Sequence, residues 1–254
     1  MKINQQCEGL ILGLTSIITC KNYNKPDTTA TCFFCKSISG KIILVTNKHV
    51  LKDCKSFRLK LTTINKLDNS KKTVNYDINM KDDIVYHAVY DIATLDITSA
   101  YNIMLNNTNY IPQLCCITEN GILTDYNKLP VFQEILMLGY PNGIINSETN
   151  HPIIRTGYAA TNIKEKYNGR ELFLTDIPTF GGSSGSPILI SNENGDVYLI
   201  GINAKTYTQP TRVYSSNNRL YHKRKTIGYV DIPNNIGIAV NSKIIKEMIN
   251  YYNK

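Results

Sequence analysis

The chain has 254 residues, of which 42% are hydrophobic and 19% charged, a balance that excludes intrinsic disorder and allows a large core without disulfides or metals. Its apolar runs fall short of the roughly 20 residues of a membrane helix, so we expect no membrane contact. The 28 basic and 20 acidic residues give a net charge of +8, but the basic residues are scattered, with their densest cluster at 222–225. The charge therefore predicts a solubilising surface and no nucleic-acid partner.

The first apolar segment, residues 9–19, has the composition of a secretory signal sequence. Glu8 precedes it, however, and no cleavage site of the Ala-x-Ala kind follows before Cys20. We therefore predict a first β-strand over residues 10–18 and a cytoplasmic protein, with secretion as the alternative.

Short apolar and β-branched runs then alternate with turn signals such as Ser39-Gly40 and Asn194-Gly195. They predict strands over residues 30–36, 41–46, 56–62, 73–80, 84–89, 131–138, 171–175, 187–190, 197–202 and 237–240. Because few segments have the period of a long helix, the pattern favours an all-β fold over alternating βαβ units.

A polar, Asn-rich stretch separates the two groups of strands, and a helical stripe closes the chain. We predict an N-terminal unit over residues 1–105, a linker over 106–126 and a C-terminal unit over 127–254. Apolar residues recur at helical spacing after Asn241-Ser242, which can cap a helix, at Ile244, Ile245, Met248, Ile249 and Tyr252.

Seven cysteines, an odd number, argue against a secreted disulfide framework. Cys32 and Cys35 form a Cys-x-x-Cys pair, but in a strand their sulfurs point to opposite faces, and no second pair follows. We expect buried free thiols in a reducing compartment, no metal site and no cofactor. His87, His151 and His222 lack the spacing of metal ligands, so we interpret them as surface or structural residues.

Three strings contain the residues that nucleophilic catalysis needs. An apolar strand in LVTNKHV (44–50) delivers His49 at its end, and DIATL (91–95) begins a strand with Asp91. In GGSSGSP (181–187), glycines and serines predict a tight loop with exposed amides and hydroxyls, followed at once by an apolar strand. A serine hydroxyl needs an imidazole to remove its proton, and the imidazole needs a carboxylate to fix its tautomer.

The order His49, Asp91, Ser184 resembles that of the chymotrypsin-fold, or trypsin-like, serine proteases. VTNKHV, DIATL and GSSGSP are similar to motifs of the bacterial trypsin-like branch that includes the high-temperature-requirement proteases. LGYPNG (138–143), LIGIN (199–203) and GIAV (237–240) resemble that branch's second barrel. The similarity extends over about residues 5–250. It implies an all-β fold of two six-stranded antiparallel β-barrels with a C-terminal α-helix and an active site in the cleft between the barrels. We expect no PDZ domain, because the sequence stops at Lys254.

The resemblance also implies a serine endopeptidase that hydrolyses peptide bonds of a peptide or protein substrate. Ser184 would attack the scissile carbonyl and form an acyl-enzyme, His49 would act as base and then acid, and Asp91 would orient the imidazole. The amides of Gly182 and Ser184 would form the oxyanion hole. Asp96, five residues after Asp91, is a rival carboxylate, but its place inside the strand makes it the poorer candidate.

The sequence departs from digestive trypsin-like enzymes just before the nucleophile. Those enzymes keep an aspartate there, which pairs with a newly cut N-terminus; this chain has Ser183, and no Ile-Val-Gly-Gly cleavage point precedes the first strand. We therefore expect the full chain to be competent without such a cut, or to be switched by a regulatory protein partner.

Pro178 stands six residues before Ser184, where an aspartate would select Arg or Lys. The resemblance implies a substrate pocket lined by Pro178, Thr179, Ala204, Lys205, Thr206 and Ile236. Without a buried carboxylate, a substrate cation would have no partner in this pocket. We therefore expect cleavage after small or medium apolar residues.

Two other functions would use the same residues differently. GGSSG (181–185) fits the Gly-x-Ser-x-Gly elbow of esterases, with Ser183 as nucleophile and His222 with Asp196 or Asp231 as its partners. That elbow needs a helix directly after the serine, whereas PILI (187–190) predicts a strand. The other alternative is a non-catalytic protein-binding module on the same fold. Covalent labelling of the serine would distinguish an active enzyme from such a module.

Overall fold

The computed structural model describes residues 2–22, 25–79, 83–106, 109–146, 148–214 and 226–253. Within these ranges the strands are β1 Thr15–Asn22, β2 Thr28–Lys36, β3 Ile42–Thr46, β4 Cys54–Asn65, β5 Lys71–Asn79, β6 Val85–Tyr86, β7 Ala93–Asp96, β8 Tyr110–Pro112, β9 Ile117–Thr118, β10 Glu134–Gly139, β11 Ile153–Tyr158, β12 Leu172–Thr175, β13 Pro187–Ser191, β14 Val197–Tyr214 and β15 Thr226–Asn241. The α-helices are α1 Gln5–Gly13, α2 Lys48–Leu51, α3 Thr98–Asn106 and α4 Ser242–Asn250. Short 3₁₀ turns lie at Glu119–Gly121, Pro141–Gly143 and Tyr251–Asn253.

The strands form two sheets, one from each half of the chain. The first has nine strands, with the order β5-β4-β1-β2-β3-β7-β6, while β8 pairs with β4 and β9 with β2. The second has six strands in the order β11-β10-β13-β14-β15-β12. All pairings within the second sheet are antiparallel, and the β2–β9 pairing is the parallel one in the first.

This architecture confirms the predicted all-β double unit with a C-terminal helix. The first unit has nine strands where we predicted six, and two of the additional strands, β8 and β9, come from the segment after α3 and pair with β4 and β2. In the described residues each unit is an open sheet, since neither strand order returns to its first strand.

A shared hydrophobic core joins the two sheets. It combines residues of the first sheet and the segment before it with residues of the second sheet: Leu14, Phe33, Ile43, Val45, Leu138, Leu189, Leu199 and Val240, each 3% exposed or less. Burying one such aliphatic side chain contributes roughly 1.5–3 kcal/mol. The two sheets are thereby held together, and the site described below combines residues of both.

Helix α4 forms where the sequence predicted it. The Asn241 side chain accepts a hydrogen bond from the Lys243 amide, which satisfies one of the free N–H groups of the first turn. The predicted apolar stripe is buried, and Ile244, Ile245 and Ile249 belong to the shared core. The helix therefore closes the core on the side of the second sheet.

The predicted first strand over residues 10–18 is wrong in its first half, because residues 5–13 form helix α1 and the strand begins at Thr15. The Asn4 side chain caps this helix by accepting from the Cys7 amide. Ile11 enters the shared core from the helix, with 3% of its surface exposed. The apolar run fits a helix and a strand equally well, and the cap at Asn4 was overlooked.

Three further predictions need correction in their extent. The strand predicted over 84–89 is limited to Val85–Tyr86, because the His87 ring accepts hydrogen bonds from the amides of Val89 and Tyr90 and closes a turn. Strands β14 and β15 are much longer than predicted and form one hairpin. The segment 106–126 contains β8 and β9, and Ile122 pairs with Leu199 of the second sheet; its role as a linker stays a prediction.

The cysteines are free thiols. Cys32 packs in the core of the first sheet and Cys35 in the shared core, on opposite faces of β2. Burial raises the pKa of both thiols. In the part of the chain that the structure describes, no cluster of three His, Cys, Asp or Glu side chains could hold a metal ion, and no helix is long and apolar enough to cross a membrane.

Candidate active site

His49 lies at the point where β3 ends and a short helix begins. Strand β3 is buried from Ile43 to Thr46, and helix α2 anchors itself by burying Val50 and Leu51. The chain between these buried segments has little freedom, so His49 is held at the rim of the first sheet. Its side chain is 51% exposed and therefore accessible from solvent.

Asp91 is held beside His49 by several hydrogen bonds. One carboxylate oxygen accepts from the His49 amide at 2.9 Å, and the other is 2.6 Å from Nδ1 of the His49 ring. The Asn47 side chain donates to the Asp91 carbonyl oxygen at 2.8 Å. Burial raises the pKa of the Asp91 carboxyl, but hydrogen bonding to His49 and its charge outweigh burial, so the net pKa is lowered.

Ser184 approaches the same ring from the second sheet. Its hydroxyl oxygen is 3.0 Å from Nε2 of His49, on the side of the imidazole opposite Asp91. The loop reaches this position through Gly182 and Gly185, with φ angles of +85° and +83°. A side chain at residue 182 would bring its Cβ to 2.2 Å from the Tyr140 carbonyl oxygen, so only glycine fits there.

The amides of Gly182 and Ser184 in this loop are free to bind an anion. Ser183 and Gly185 donate their amides to the carbonyl oxygens of Phe180 and Asn203. Among the described residues, the amides of Gly182 and Ser184 donate to no protein atom. Both can therefore point toward a substrate oxygen.

The carbonyl groups on the far side of the same peptide units are anchored. Because a trans peptide directs its C=O and N–H in opposite directions, a bonded carbonyl fixes where the amide points. The Gly181 carbonyl accepts from the Asn142 amide, and the Ser183 carbonyl accepts from the Asn203 side chain at 3.0 Å. The direction of the two free amides is thus set by the protein before any substrate binds.

Strand β2 of the first sheet holds the Ser184 loop through hydrogen bonds of Thr31. The Thr31 amide donates to the Ser184 carbonyl at 2.8 Å, and the Thr31 hydroxyl donates to the Gly182 carbonyl at 2.8 Å. Thr31 is fully buried, and its own carbonyl accepts from the Thr46 hydroxyl. Thr31, Asn47 and Asn203 were overlooked in the sequence, because a polar residue in a strand gives no local signal of a long-range contact.

The six predicted pocket residues lie on three segments. Thr179 and Thr206 are brought together, with their hydroxyl oxygens 2.5 Å apart. The Pro178 carbonyl accepts a hydrogen bond from Arg155. Ala204 is 6% exposed and Lys205 is exposed. Ile236 is half-buried, at the point where β15 passes from its exposed part to its buried part.

Gly237 packs closely against two polar side chains near the predicted pocket residues. A Cβ at this position would lie 2.4 Å from the Thr175 hydroxyl and 3.1 Å from the Asn203 side-chain oxygen. Both of these polar atoms are buried without a hydrogen-bond partner among the described residues. Buried polar atoms therefore lie next to the residues predicted to line the pocket.

The rival residues lie elsewhere. Asp96 accepts hydrogen bonds from the Thr98 amide and hydroxyl and so starts helix α3. Ser183 is 1% exposed and a strand, not a helix, follows it, which disagrees with an esterase elbow. Asp196 bonds to Asn4 and to the turn at Asn192, Asp231 lies on the exposed hairpin, and His222 lies outside the described residues.

The two remaining histidines have surroundings typical of structural residues. His87 closes the turn that leads to Asp91, and its carbonyl accepts from the Lys48 side chain at 3.3 Å. Burial lowers the pKa of His151, and the charge of Lys71 lowers it further. His87 therefore supports the Asp91 loop, a role that its sequence context did not indicate.

Solved structures with the same fold include two proteases. The chain is similar to a thermostable serine protease, AL20, from an extremophilic microorganism, with a TM-score of 0.53, 13% identity, and coverage of 95% of this chain and 97% of that one. It is also similar to Deg5, with a TM-score of 0.53, 15% identity, and coverage of 97% and 95%. The protease Anisep from Arthrobacter nicotinovorans matches with a TM-score of 0.52, 12% identity and 91% coverage of both chains. At these identities the likeness establishes the fold alone.

The sequence itself identifies the family. No curated protein matches the chain. The profile of the trypsin-like peptidase domain matches residues 30–202, a span that contains His49, Asp91 and Ser184. Because this match covers more than half of the chain and agrees with the fold, the chain belongs to the trypsin-like peptidases and is a serine-type hydrolase.

Proposed function

We propose that the chain is a serine endopeptidase in which Ser184, His49 and Asp91 act as a catalytic triad. The observation that carries this proposal is the pair of contacts made by one imidazole. Its Nε2 is 3.0 Å from the Ser184 hydroxyl, and its Nδ1 is 2.6 Å from the Asp91 carboxylate. With Nδ1–H bonded to the carboxylate, Nε2 has a free lone pair and can accept the serine proton.

In the first half of the reaction, the Ser184 oxygen attacks the scissile carbonyl carbon while its proton passes to Nε2 of His49. The tetrahedral intermediate then collapses, the C–N bond breaks, and the leaving amine takes the proton from Nε2. In the second half, His49 removes a proton from water as its oxygen attacks the acyl carbon of the Ser184 ester. The ester C–O bond then breaks, the acid product leaves, and the proton on Nε2 returns to the serine oxygen. Asp91 stabilises the imidazolium in both halves.

The free amides of Gly182 and Ser184 would bind the oxyanion of each tetrahedral intermediate. Their direction is fixed in advance by anchored carbonyls, so no reorganisation is needed when the negative charge develops. Loss of one such donor typically raises the barrier by about 3 kcal/mol.

The pocket favours a small or medium apolar residue on the acyl side of the cleaved bond. The hydroxyl oxygens of Thr179 and Thr206 lie 2.5 Å apart, and a pocket lined by both side chains would be narrow at this point. The residues proposed to line it (Pro178, Thr179, Ala204, Lys205, Thr206 and Ile236) include no carboxylate that could pair with a substrate cation. A peptide library that revealed cleavage after Arg or Lys would contradict this preference.

The test of the triad is labelling with a fluorophosphonate probe, which reacts with an activated serine. We expect the wild-type protein to be labelled, Ser183→Ala to be labelled more slowly because Ser183 supports the loop, and Ser184→Ala to remain unlabelled. Ser183→Ala is the matched control, because it removes the neighbouring hydroxyl of the same loop. Labelling that survives loss of Ser184 but not of Ser183 would favour the esterase elbow, and no labelling of the wild type would favour a binding module.

A further inference from the structure

Arg155 extends from β11 to the loop that carries Ser184. Its guanidinium donates from Nη2 to the Ser183 hydroxyl oxygen at 3.0 Å and to the Met137 sulfur at 3.3 Å. From Nη1 it donates to the Pro178 carbonyl oxygen. One side chain thus binds both ends of the segment 178–183, which contains Gly182.

This arginine carries a charge that the fold leaves without a counter-ion. In the described ranges no carboxylate lies within ion-pair distance of it, and its Nε is buried with no hydrogen-bond partner. Burial lowers its pKa. The side chain is half-buried, and taking even part of an unpaired cation out of water is unfavourable. Its hydrogen bonds to Pro178 and Ser183 offset that cost, so the side chain is committed to the segment 178–183.

Ser183, the partner of Arg155, stands between the two free amides. It is 1% exposed, and its hydroxyl oxygen accepts from Arg155 and from the Phe180 amide at 3.3 Å. Its carbonyl accepts from Asn203. A rotation of the peptide units on either side of Ser183 would turn the amides of Gly182 or Ser184 away from the cleft, and the contacts of Ser183 resist that rotation.

We propose that Arg155 is a positioning residue that holds Ser183, and through it the amides of Gly182 and Ser184, in the orientation that binds an oxyanion. This inference rests on the proposed peptidase function of the same loop. Both partners belong to the continuous chain, so the contact forms when the protein folds. It requires no cut N-terminus to supply a cation.

The inference is tested with full-length Arg155→Met and Arg155→Lys proteins. Arg58→Met is the matched control, because Arg58 bonds Asp77 on the exposed side of β4 and not the loop. We expect Arg155→Met to lower kcat on a peptide substrate by about 10- to 100-fold with KM changed by less than about twofold, since the amides act on the transition state. Lysine cannot reach Pro178 and Ser183 together, so Arg155→Lys should restore little.

Two further readouts separate positioning from a general loss of structure. In Arg155→Ala, added guanidinium or methylguanidinium ion should raise kcat by about tenfold or more, whereas Arg58→Ala should not respond. Because Arg155 acts through Ser183, Ser183→Ala should cause little further loss in the Arg155→Met background.

The outcomes are distinct. An unchanged kcat in Arg155→Met would overturn the inference, and so would a double variant whose loss of kcat equals the sum of the losses caused by Arg155→Met and Ser183→Ala alone. In either case, labelling of the wild type at Ser184 would still support the proposed peptidase function. A loss confined to KM for substrates with an acidic residue before the cut would also overturn it, because Arg155 would then contact the substrate. A wild-type protein that no fluorophosphonate labels would overturn the proposed function first.

Discussion

The amide of Thr31 donates a hydrogen bond to the carbonyl oxygen of Ser184 at 2.8 Å, and this contact joins a strand of the first sheet to the nucleophile loop of the second. The Thr31 carbonyl accepts in turn from the Thr46 hydroxyl, one residue before Asn47 and three before His49. The distance between the imidazole and the serine is therefore set through buried backbone rather than by the exposed side chains themselves.

Thr31→Val should impair both catalysis and stability. Valine keeps the shape of threonine but removes the hydroxyl that donates to the Gly182 carbonyl and accepts from the Tyr140 amide. Leaving these buried groups unpaired should lower the free energy of unfolding by about 1–3 kcal/mol. The change is measured by urea denaturation, with kcat determined in parallel. Thr29→Val, at an exposed position of the same strand, should be neutral, and an equal effect there would refute the argument.

Asp91→Asn should lower kcat by about 10⁴-fold, because asparagine cannot stabilise the imidazolium and favours the wrong tautomer. Fluorophosphonate labelling at several pH values measures the loss. Asp96→Asn is the control, since Asp96 bonds only to the start of helix α3 among the described residues, and it should retain activity. A greater loss in Asp96→Asn would reverse the assignment of the carboxylate.

The lowered pKa of Asp91 also predicts how stability depends on pH. A carboxyl with a lower pKa in the folded state than in the unfolded state contributes stability above its unfolded value of about 3.9, and this contribution disappears as pH falls through the folded-state pKa. The difference in unfolding free energy between wild type and Asp91→Asn should therefore shrink below about pH 4. Urea titrations at pH 6 and pH 3 test this, and a difference that grew at pH 3 would contradict it.

The strings around His49, Asp91 and Ser184 were recognisable because each combines a chemically useful residue with a strand or a constrained loop. Their catalytic roles remain a prediction. The residues that hold them were not recognisable, since Thr31 and Ser184 are 153 positions apart and an alternating strand looks the same whether or not a threonine supports a loop. Such contacts depend on how the sheets pack, which local patterns do not determine.

Errors in the fold have the same origin. The apolar run at residues 10–18 is compatible with the spacing of a helix and with that of a strand. Which of the two forms depends on the helix cap at Asn4 and on the shared core, which buries Ile11. Strands β8 and β9 have only three and two residues, too few for a sequence pattern, and exist because β4 and β2 offer them edges.

Thr206→Ala should broaden the substrate range. It removes the hydroxyl that touches Thr179 and should separate the two walls of the pocket. We expect kcat/KM for Leu or Phe before the cut to rise by about tenfold relative to Ala, as the binding of extra methylenes allows. A peptide library with each residue at that position measures the ratio. Thr208→Ala, further along the exposed part of β14, is the control, and a gain for Arg or Lys would contradict the proposed pocket.

Removal of residues 1–13 should destabilise the protein without activating it. Helix α1 places Ile11 in the shared core, and the Asn4 side chain donates to the Asp196 carboxylate of the second unit at 2.9 Å. Loss of one buried isoleucine alone lowers the free energy of unfolding by about 2–5 kcal/mol. Asn4→Ala, which removes the cap and this contact, should cause a smaller loss of about 1 kcal/mol. Both losses of stability are measured by thermal unfolding, with kcat determined in parallel.

A truncated protein with kcat raised by orders of magnitude would contradict this prediction. It would mean that the N-terminal segment inhibits the enzyme and that the full chain needs activation.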